Sequence, residues 1–121
     1  MKIVAGLIFC KNKLLLVHHI NMDLWMPVAG HVEKNESCRD ALKREIKEET
    51  GLGVEIADKP FYSMKELKGT TPHYICHTKN SKVKLKKDEL TDYRWMSKKE
   101  IEKSNLDKIV KKIALKSFAA K

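Results

Sequence analysis

Two short apolar runs open the chain and predict a β-hairpin. Residues 2–9 and 13–19 are rich in leucine, isoleucine and valine, and Lys11-Asn12 stands between them. Runs of this length and composition are typical of strands, and a short polar pair between them is typical of a tight turn. Since side chains alternate along a strand, His18 and His19 should point to opposite faces, one half-buried and the other solvated.

The stretch from Ser37 to Gly51 carries the end signals of a helix. Ser37 is a suitable N-cap with Asp40 three residues later, as in a capping box. Gly51 is the residue type that most easily adopts the left-handed conformation just past a helix C-terminus. Residues 21–27, which precede this region and carry Trp25, are expected to form a loop.

After the helix, the pattern predicts more strands and then two helices. Strands are expected over 53–67 with a break at 58–60, over 73–78, over 82–86 and over 91–96, with a loop at 69–72. His73, Cys76 and His77 do not share one face of an extended strand, so a structural role is favoured over a zinc half-site.

The C-terminal part predicts two helices. Ser97 and Glu100 form a capping box that opens a short helix. Asn105 is expected to cap a final amphipathic helix. Its apolar stripe is predicted to contain Leu106, Ile109, Ile113 and Phe118. The order of strands, helix, strands and helix has no repeating βαβ unit, so it predicts an α+β fold with a mixed β-sheet between helices.

Three glutamates of the first helix should project from one face. Glu45, Glu48 and Glu49 are spaced i, i+3 and i+4. Like charges at this spacing weaken an isolated helix, and a bound hard cation would offset that cost. Oxygen ligands without histidine or cysteine favour Mg²⁺ or Mn²⁺ over zinc. The alternative is an exposed acidic face that pairs with Lys43, Arg44 and Lys47.

A longer pattern surrounds these glutamates. Gly30 is followed after five residues by Glu36, and after seven more by the segment REIKEETGL, which begins at Arg44. This resembles the Nudix box, G-x5-E-x7-R-E-U-x-E-E-x-G-U with U aliphatic, and every specified position is filled. The resemblance implies a single Nudix hydrolase domain over 1–121, with its box at 30–52 and the α/β/α sandwich of that family.

The resemblance also implies a reaction. Water would attack a phosphorus of a nucleoside diphosphate linked to another moiety X, releasing a nucleoside monophosphate and phospho-X. With a nucleoside triphosphate, the products would be the monophosphate and pyrophosphate. No signature of the NADH, coenzyme A or ADP-ribose branches follows the box, so a compact MutT-like triphosphate hydrolase is favoured by elimination.

Roles of individual residues follow from the resemblance. Glu45, Glu48 and Glu49 are implied ligands of Mg²⁺ or Mn²⁺, and Glu45 is also a candidate base. Arg44 would orient Glu45 through a charge-assisted hydrogen bond. The implied structural residues of the box are Glu36, which would brace the loop against the helix, Gly30, which would allow tight loop-to-helix packing, and Gly51.

Positions outside the box supply further candidates. The backbone carbonyl of Ala29 is an implied metal ligand, although the family usually has Pro-Gly-Gly where this chain reads Pro27-Val28-Ala29-Gly30. Glu89 lies ahead of the Trp-Met-Ser junction and matches an acidic position of antimutator-type members. It is an implied ligand or base, with a solvated loop carboxylate as the alternative. Trp25, Phe61 and Tyr62 are candidates for stacking on the substrate base, with core packing as the alternative.

Composition and charge narrow the choice of partners. No apolar run approaches a membrane span and no signal-peptide pattern opens the chain, so a soluble cytoplasmic protein is expected. Cys10, Cys38 and Cys76 form no CxxC pair, so no disulfide framework is expected. Most of the formal charge of +9 lies in residues 82–121, where it would steer a polyanionic substrate. A small nucleotide is the predicted partner. The alternative function is a catalytically idle Nudix-fold module that binds nucleotide or RNA.

Overall fold

A mixed β-sheet of eight strands runs through the part of the chain that the structure describes. The structure is a computed structural model and describes residues 2–66, 69–86 and 88–121. The strands are β1 (Ile3–Cys10), β2 (Lys13–His19), β3 (Leu24–Met26), β4 (Val28–His31), β5 (Glu55–Ile56), β6 (Tyr62–Glu66), β7 (Gly69–His77) and β8 (Leu90–Met96). The helices are α1 (Cys38–Thr50), α2 (Lys98–Glu102) and α3 (Lys108–Ala120).

The sheet order is β3-β2-β1-β7-β5, with β4 added to β1, β6 to β7 and β8 to β2. The β1–β7 pair is parallel, and the other pairs are antiparallel. On one face of the sheet, Ile8 and Leu15 lie in a buried cluster with Ile46 of α1. The opposite face packs against α2 and α3, and its Leu16 belongs to the same buried cluster as Ile113 of α3. These two layers confirm the predicted α+β fold with a sheet between helices.

The predicted hairpin and the limits of the first helix are confirmed. Lys11 and Asn12 have φ angles of 49° and 65°, which a two-residue turn of the primed type requires. The Ser37 hydroxyl accepts a hydrogen bond from the Asp40 N–H, and Gly51 ends α1 in the left-handed conformation with φ 76°. At the start of α2, both hydrogen bonds of the capping box between Ser97 and Glu100 are present.

Two loop assignments and one strand assignment before β8 are wrong. Residues 24–26 belong to β3 rather than a loop, because they pair with the end of β2. The loop expected at 69–72 is the start of β7, where Pro72 has a strand neighbour on only one side and its missing N–H is tolerated. Leu67, the last residue of the strand expected over 53–67, lies outside the described residues.

The strand expected over 82–86 is absent from the described structure, for a reason that matters to the site. Val83 and Leu85 pack on the core, as the alternating pattern suggests. However, the backbone N–H of Lys84 donates to Thr50 O, and that of Lys86 to Glu49 O. The segment therefore satisfies carbonyl groups that the last turn of α1 leaves without a helical partner.

The start of the last helix was predicted two residues too early. Asp107, not Asn105, caps α3, and its carboxylate accepts hydrogen bonds from the backbone N–H groups of Ile109 and Val110. The buried stripe therefore consists of Val110, Ile113, Ala114 and Ser117. Ile109 is 56% exposed, so its place in the predicted stripe is wrong.

The histidines of β2 and β7 occupy separate environments. His18 and His19 are both half-buried, with side chains 21% and 19% exposed, so the expectation of a solvated one is wrong. In β7, Cys76 lies in the core under α1, whereas His73 and His77 contact the rings of Tyr62 and Phe9 on the other face. The expectation of a structural role for these three residues agrees with this separation.

Candidate functional site

The close approach of α1 to β4 depends on Gly30. A Cβ atom at this position would lie 2.2 Å from Glu45 Cγ and 2.5 Å from Glu45 Oε2. Both distances are far below van der Waals contact, so any side chain here would displace Glu45. The glycine lies in β4 rather than in a loop, and it makes room for the Glu45 side chain between strand and helix.

We expect Gly30→Ala to lower the free energy of unfolding by about 1–3 kcal/mol, because overpacking forces a shift of Glu45 or of the backbone. Chemical denaturation measures this effect. Gly53→Ala is the matched control, since a Cβ at Gly53 would meet no heavy atom within 4 Å. Equal stability of the two variants would contradict the packing role of Gly30.

Arg44 connects the helix to the preceding loop and to two of the glutamates. Its Nε and Nη2 donate to the two oxygens of Glu36, at 2.8 and 3.0 Å. Its Nη1 donates to Glu45 Oε1 at 2.8 Å and to Glu48 Oε2 at 3.4 Å. Nη2 also reaches the carbonyl oxygen of His31 at 3.1 Å. One planar guanidinium therefore fixes the positions of β4, the following loop and α1 relative to one another.

The electrostatics of this cluster follow from the same contacts. The hydrogen bond from Arg44 and the backbone N–H of Glu33 lower the pKa of Glu36 from 4.5 to about 2. The bonds to Glu36 and Glu45 raise the pKa of Arg44 above its usual value. Both groups therefore stay ionised throughout the physiological range, and the loop remains tied to the helix.

Glu49 is in a different environment. Burial raises its pKa most, and the negative charges of Glu45, Glu89 and Glu48 raise it further. Lys86 opposes them only in part, and the resulting pKa is about 8 instead of 4.5. Without a cation, the protein thus keeps a carboxyl group in a position that disfavours its ionised form.

This shift predicts a pH dependence of the metal-free protein. Because the folded pKa of Glu49 lies above its unfolded value of 4.5, the folded state binds more protons between pH 4.5 and 8, and stability falls as pH rises through that window. Partial exposure of Glu49 reduces the effect. We therefore expect the free energy of unfolding of Glu49→Gln to exceed that of wild type by about 1–3 kcal/mol at pH 8 and above.

Chemical denaturation in the presence of a chelator, at pH 5 and at pH 8.5, measures this difference. Glu55→Gln is the control, because it makes the same chemical change at an exposed residue of β5. A constant difference between wild type and Glu49→Gln across this range would contradict the assignment.

A cavity of about 420 Å³ opens in front of the glutamates. Its described lining contains five carboxylates and one lysine: Glu45, Glu48, Glu49, Asp88, Glu89 and Lys86. Ala29 and Gly30 of β4 also line it. The size is typical of a small-molecule site. The charge balance is acidic, so a polyphosphate would be repelled unless a cation accompanies it.

The far side of the cavity is formed by the turn after β2 and the loop before β8. His19 Nε2 lies 3.4 Å from Glu89 Oε2, and the Ile20 N–H donates to Glu89 O at 2.8 Å. The His19 Nδ1 atom is buried and lacks a hydrogen-bond partner. Glu89 is thus held against β2 opposite the helix, close enough to Glu49 to raise its pKa.

The donor set can be compared with what a metal ion requires. Among the residues that the structure describes, no three acidic, histidine or cysteine side chains already converge tightly enough to hold an ion. The side chains nevertheless supply oxygen donors in one acidic cavity, and the raised pKa of Glu49 marks a place where positive charge is lacking. The chemistry of the donors fits a hard divalent cation such as Mg²⁺.

The structure does not bring Trp25 and Tyr62 to this cavity. Trp25 packs beside His18 and under the guanidinium of Arg94, 4.4 Å from its ring centroid. Tyr62 and Phe61 also pack in the layer under α2 and α3. All three aromatic side chains are on the face of the sheet opposite α1, so the core-packing alternative describes them.

Sequence reasoning missed several residues of the lining. Lys86, Met22 and Met26 were not singled out, and His19 was recognised only as one of two alternating histidines. The available signal was strand alternation, which places His19 on the same side as Val17. Lys86 had no such signal, because the contact of its segment with the end of α1 joins residues far apart in sequence.

The lysines of α3 belong to the other face of the sheet, so most of the basic C-terminal charge is not beside the cavity.

Comparisons with known proteins agree with this arrangement. The family profile of the NUDIX domain matches residues 2–116. Nudix hydrolase 19, chloroplastic, of Arabidopsis thaliana is 29% identical over an alignment of 89 residues, and the match covers 67% of this chain and 20% of that protein. The chain therefore spans about a fifth of the length of this curated relative.

Solved structures resemble the whole fold. A NUDIX-family hydrolase from Clostridium perfringens superposes with a TM-score of 0.88 and 23% identity, covering 98% of this chain and 95% of that chain. A C. elegans Ap4A hydrolase, solved as a binary complex, superposes with a TM-score of 0.78 and 22% identity, covering 98% and 96%. In the described residues, no helix is long and apolar enough to cross a membrane. With the family profile spanning almost the entire chain, the protein belongs to the Nudix family.

Proposed function

We propose that this protein is a pyrophosphohydrolase that uses Mg²⁺ or Mn²⁺ to hydrolyse a nucleoside diphosphate linked to another moiety. Nudix hydrolases are pyrophosphohydrolases, and the chain belongs to this family. The lack of NADH, coenzyme A and ADP-ribose signatures after the box favours a nucleoside triphosphate, giving the monophosphate and pyrophosphate. The observation that carries the proposal is the acidic cavity in which Glu49 is buried among like charges. Such a cavity repels a polyphosphate on its own, so it requires a cation for this substrate.

Glu45, Glu48 and Glu49 would hold the cation from one face of α1, with the Ala29 carbonyl and Glu89 as further ligands. When bound, the cation supplies neutralisation of the phosphate oxygens and orientation of the attacking water. Arg44 positions Glu45 through the 2.8 Å hydrogen bond, so its carboxylate is presented in one orientation.

The remaining steps use groups of the chain. A carboxylate, Glu45 or Glu89, accepts the proton of the attacking water as its oxygen bonds to phosphorus. The bond to the bridging oxygen then breaks, and phospho-X or pyrophosphate leaves with that oxygen. Lys86, the one lysine of the described lining, offers positive charge to the phosphates as they enter.

The test is a substrate panel with chelator-treated protein. Nucleoside triphosphates, dinucleoside polyphosphates, ADP-ribose and NADH are incubated without metal and then with Mg²⁺ or Mn²⁺, in ¹⁸O-water. We expect turnover only after a cation is added, with the label in the product whose phosphorus was attacked. RNA binding without hydrolysis of any panel member would instead support an idle Nudix-fold binding module and overturn the proposal.

A further inference from the structure

The cavity has an apolar side that the glutamates do not use. Met26 of β3 pairs directly with Val17 of β2, so both side chains lie on the α1 face of the sheet. Together with Met22 and Pro27, Met26 lines the same cavity as the carboxylates. Three of the five acidic residues come from α1, which packs on β4, and the other two come from the loop before β8, whereas Met26 comes from β3 and Met22 from the turn before it. The part of the cavity lined by the α1 glutamates is its acidic side, and the part lined by the methionines is its apolar side.

Exposure distinguishes Met22 from ordinary surface residues. Met22 is 53% exposed and lines the cavity, whereas the neighbouring Ile20 is 54% exposed and is not among the lining residues. A single exposed apolar residue is common on protein surfaces. Met22 differs because it lines the same cavity as Met26, so one apolar ligand face is expected to contact both thioethers.

We propose that Met22 and Met26 form the seat for the aromatic base of the substrate. The inference rests on the proposed function, which directs the phosphates to the acidic side. The other end of a nucleotide is a flat aromatic ring, and no Trp, Tyr or Phe is among the described lining residues. Methionine sulfur packs well on aromatic rings, and its flexible chain adapts to their outline. A polar sugar would leave both thioethers without an apolar partner.

Methyl NMR tests the seat without turnover. The protein is labelled with ¹³C at the methionine methyl groups, and AMP or ribose 5-phosphate, neither of which contains a pyrophosphate bond, is added in the presence of Mg²⁺. We expect the Met22 and Met26 signals to move upfield with AMP, because of the ring current, and to stay in place with the base-free phosphate. Met64 and Met96, which pack on the opposite face of the sheet, are internal controls. Equal movement with both ligands, or none with AMP at high concentration, overturns the proposal.

Substitution provides the second measurement. Met22→Ala and Met26→Ala should each raise the KM or Kd of a nucleotide about three- to tenfold, the equivalent of one lost sulfur–aromatic contact. Ile20→Ala is the matched control, since Ile20 is equally exposed on the same turn but outside the lining. An equal effect of Ile20→Ala would overturn the assignment. Because AMP binding needs no catalysis, loss of the NMR response refutes the seat, whereas an inactive protein that retains it refutes only the proposed reaction.

Discussion

Glu49→Gln is expected to lower kcat at least ~10²-fold on the best substrate while leaving the fold intact, as for loss of a group that acts on the transition state. The amide has the size of the carboxyl group but cannot carry its charge, and Glu49 is a half-buried carboxyl group of the cavity whose pKa is raised. Steady-state kinetics at saturating Mg²⁺ measures the loss. The metal-free variant should be more stable than wild type at the same time, which separates lost chemistry from lost folding.

Glu55→Gln makes the same chemical change on an exposed strand residue away from the cavity. Its kcat should equal that of wild type. If Glu49→Gln keeps full activity at every Mg²⁺ concentration, the role assigned to Glu49 is wrong, and the acidic cavity serves another purpose.

Arg44→Lys is expected to lower kcat about 10²-fold, because the lysine cannot reproduce the planar contacts to Glu36, Glu45 and Glu48. A displacement of about 1 Å of a catalytic group is enough for a loss of this size. The effect should appear in kcat and in the Mg²⁺ concentration needed for half activity, because the proposed role of Arg44 is to position Glu45. Kinetics over a Mg²⁺ series checks both.

Arg39→Lys is the matched control for Arg44. Arg39 lies on the same helix and donates hydrogen bonds to the carbonyls of Ile56 and Ala57, away from the cavity. A simple loss of helix stability would affect both variants, whereas the expected positioning role affects only Arg44→Lys. Normal kcat and Mg²⁺ dependence in Arg44→Lys would show that Glu45 keeps its orientation without the guanidinium.

The two methionines and the glutamates would recognise different parts of the substrate. Under the proposed function, the acidic side would accept any polyphosphate that arrives with a cation, so it would select little among nucleotides. Selection would therefore depend on the apolar side, where Met22 and Met26 would meet the base. A variant such as Met26→Ala should lose preference between nucleotides and base-free polyphosphates rather than lose the ability to hydrolyse both.

Local sequence was sufficient to predict the helix that carries the glutamates and the family to which the chain belongs. Ser37, Asp40 and Gly51 define the ends of α1 through contacts between near neighbours in sequence. Helix geometry then places Glu45, Glu48 and Glu49 on one face, whatever the rest of the chain does. The hairpin at Lys11-Asn12 could be predicted for the same reason, since its signal is contained in adjacent residues.

Only the tertiary structure decided what surrounds those glutamates. The segment at Lys84 and Lys86 resembles a strand by its alternating pattern, but its N–H groups bind the end of α1, more than thirty residues earlier. Trp25 and Met26 are neighbours in the chain, yet pairing with β2 sends one to the core under α3 and the other to the cavity. Such choices depend on which distant segments pair, and the free energy of that pairing is not encoded in any short window of residues.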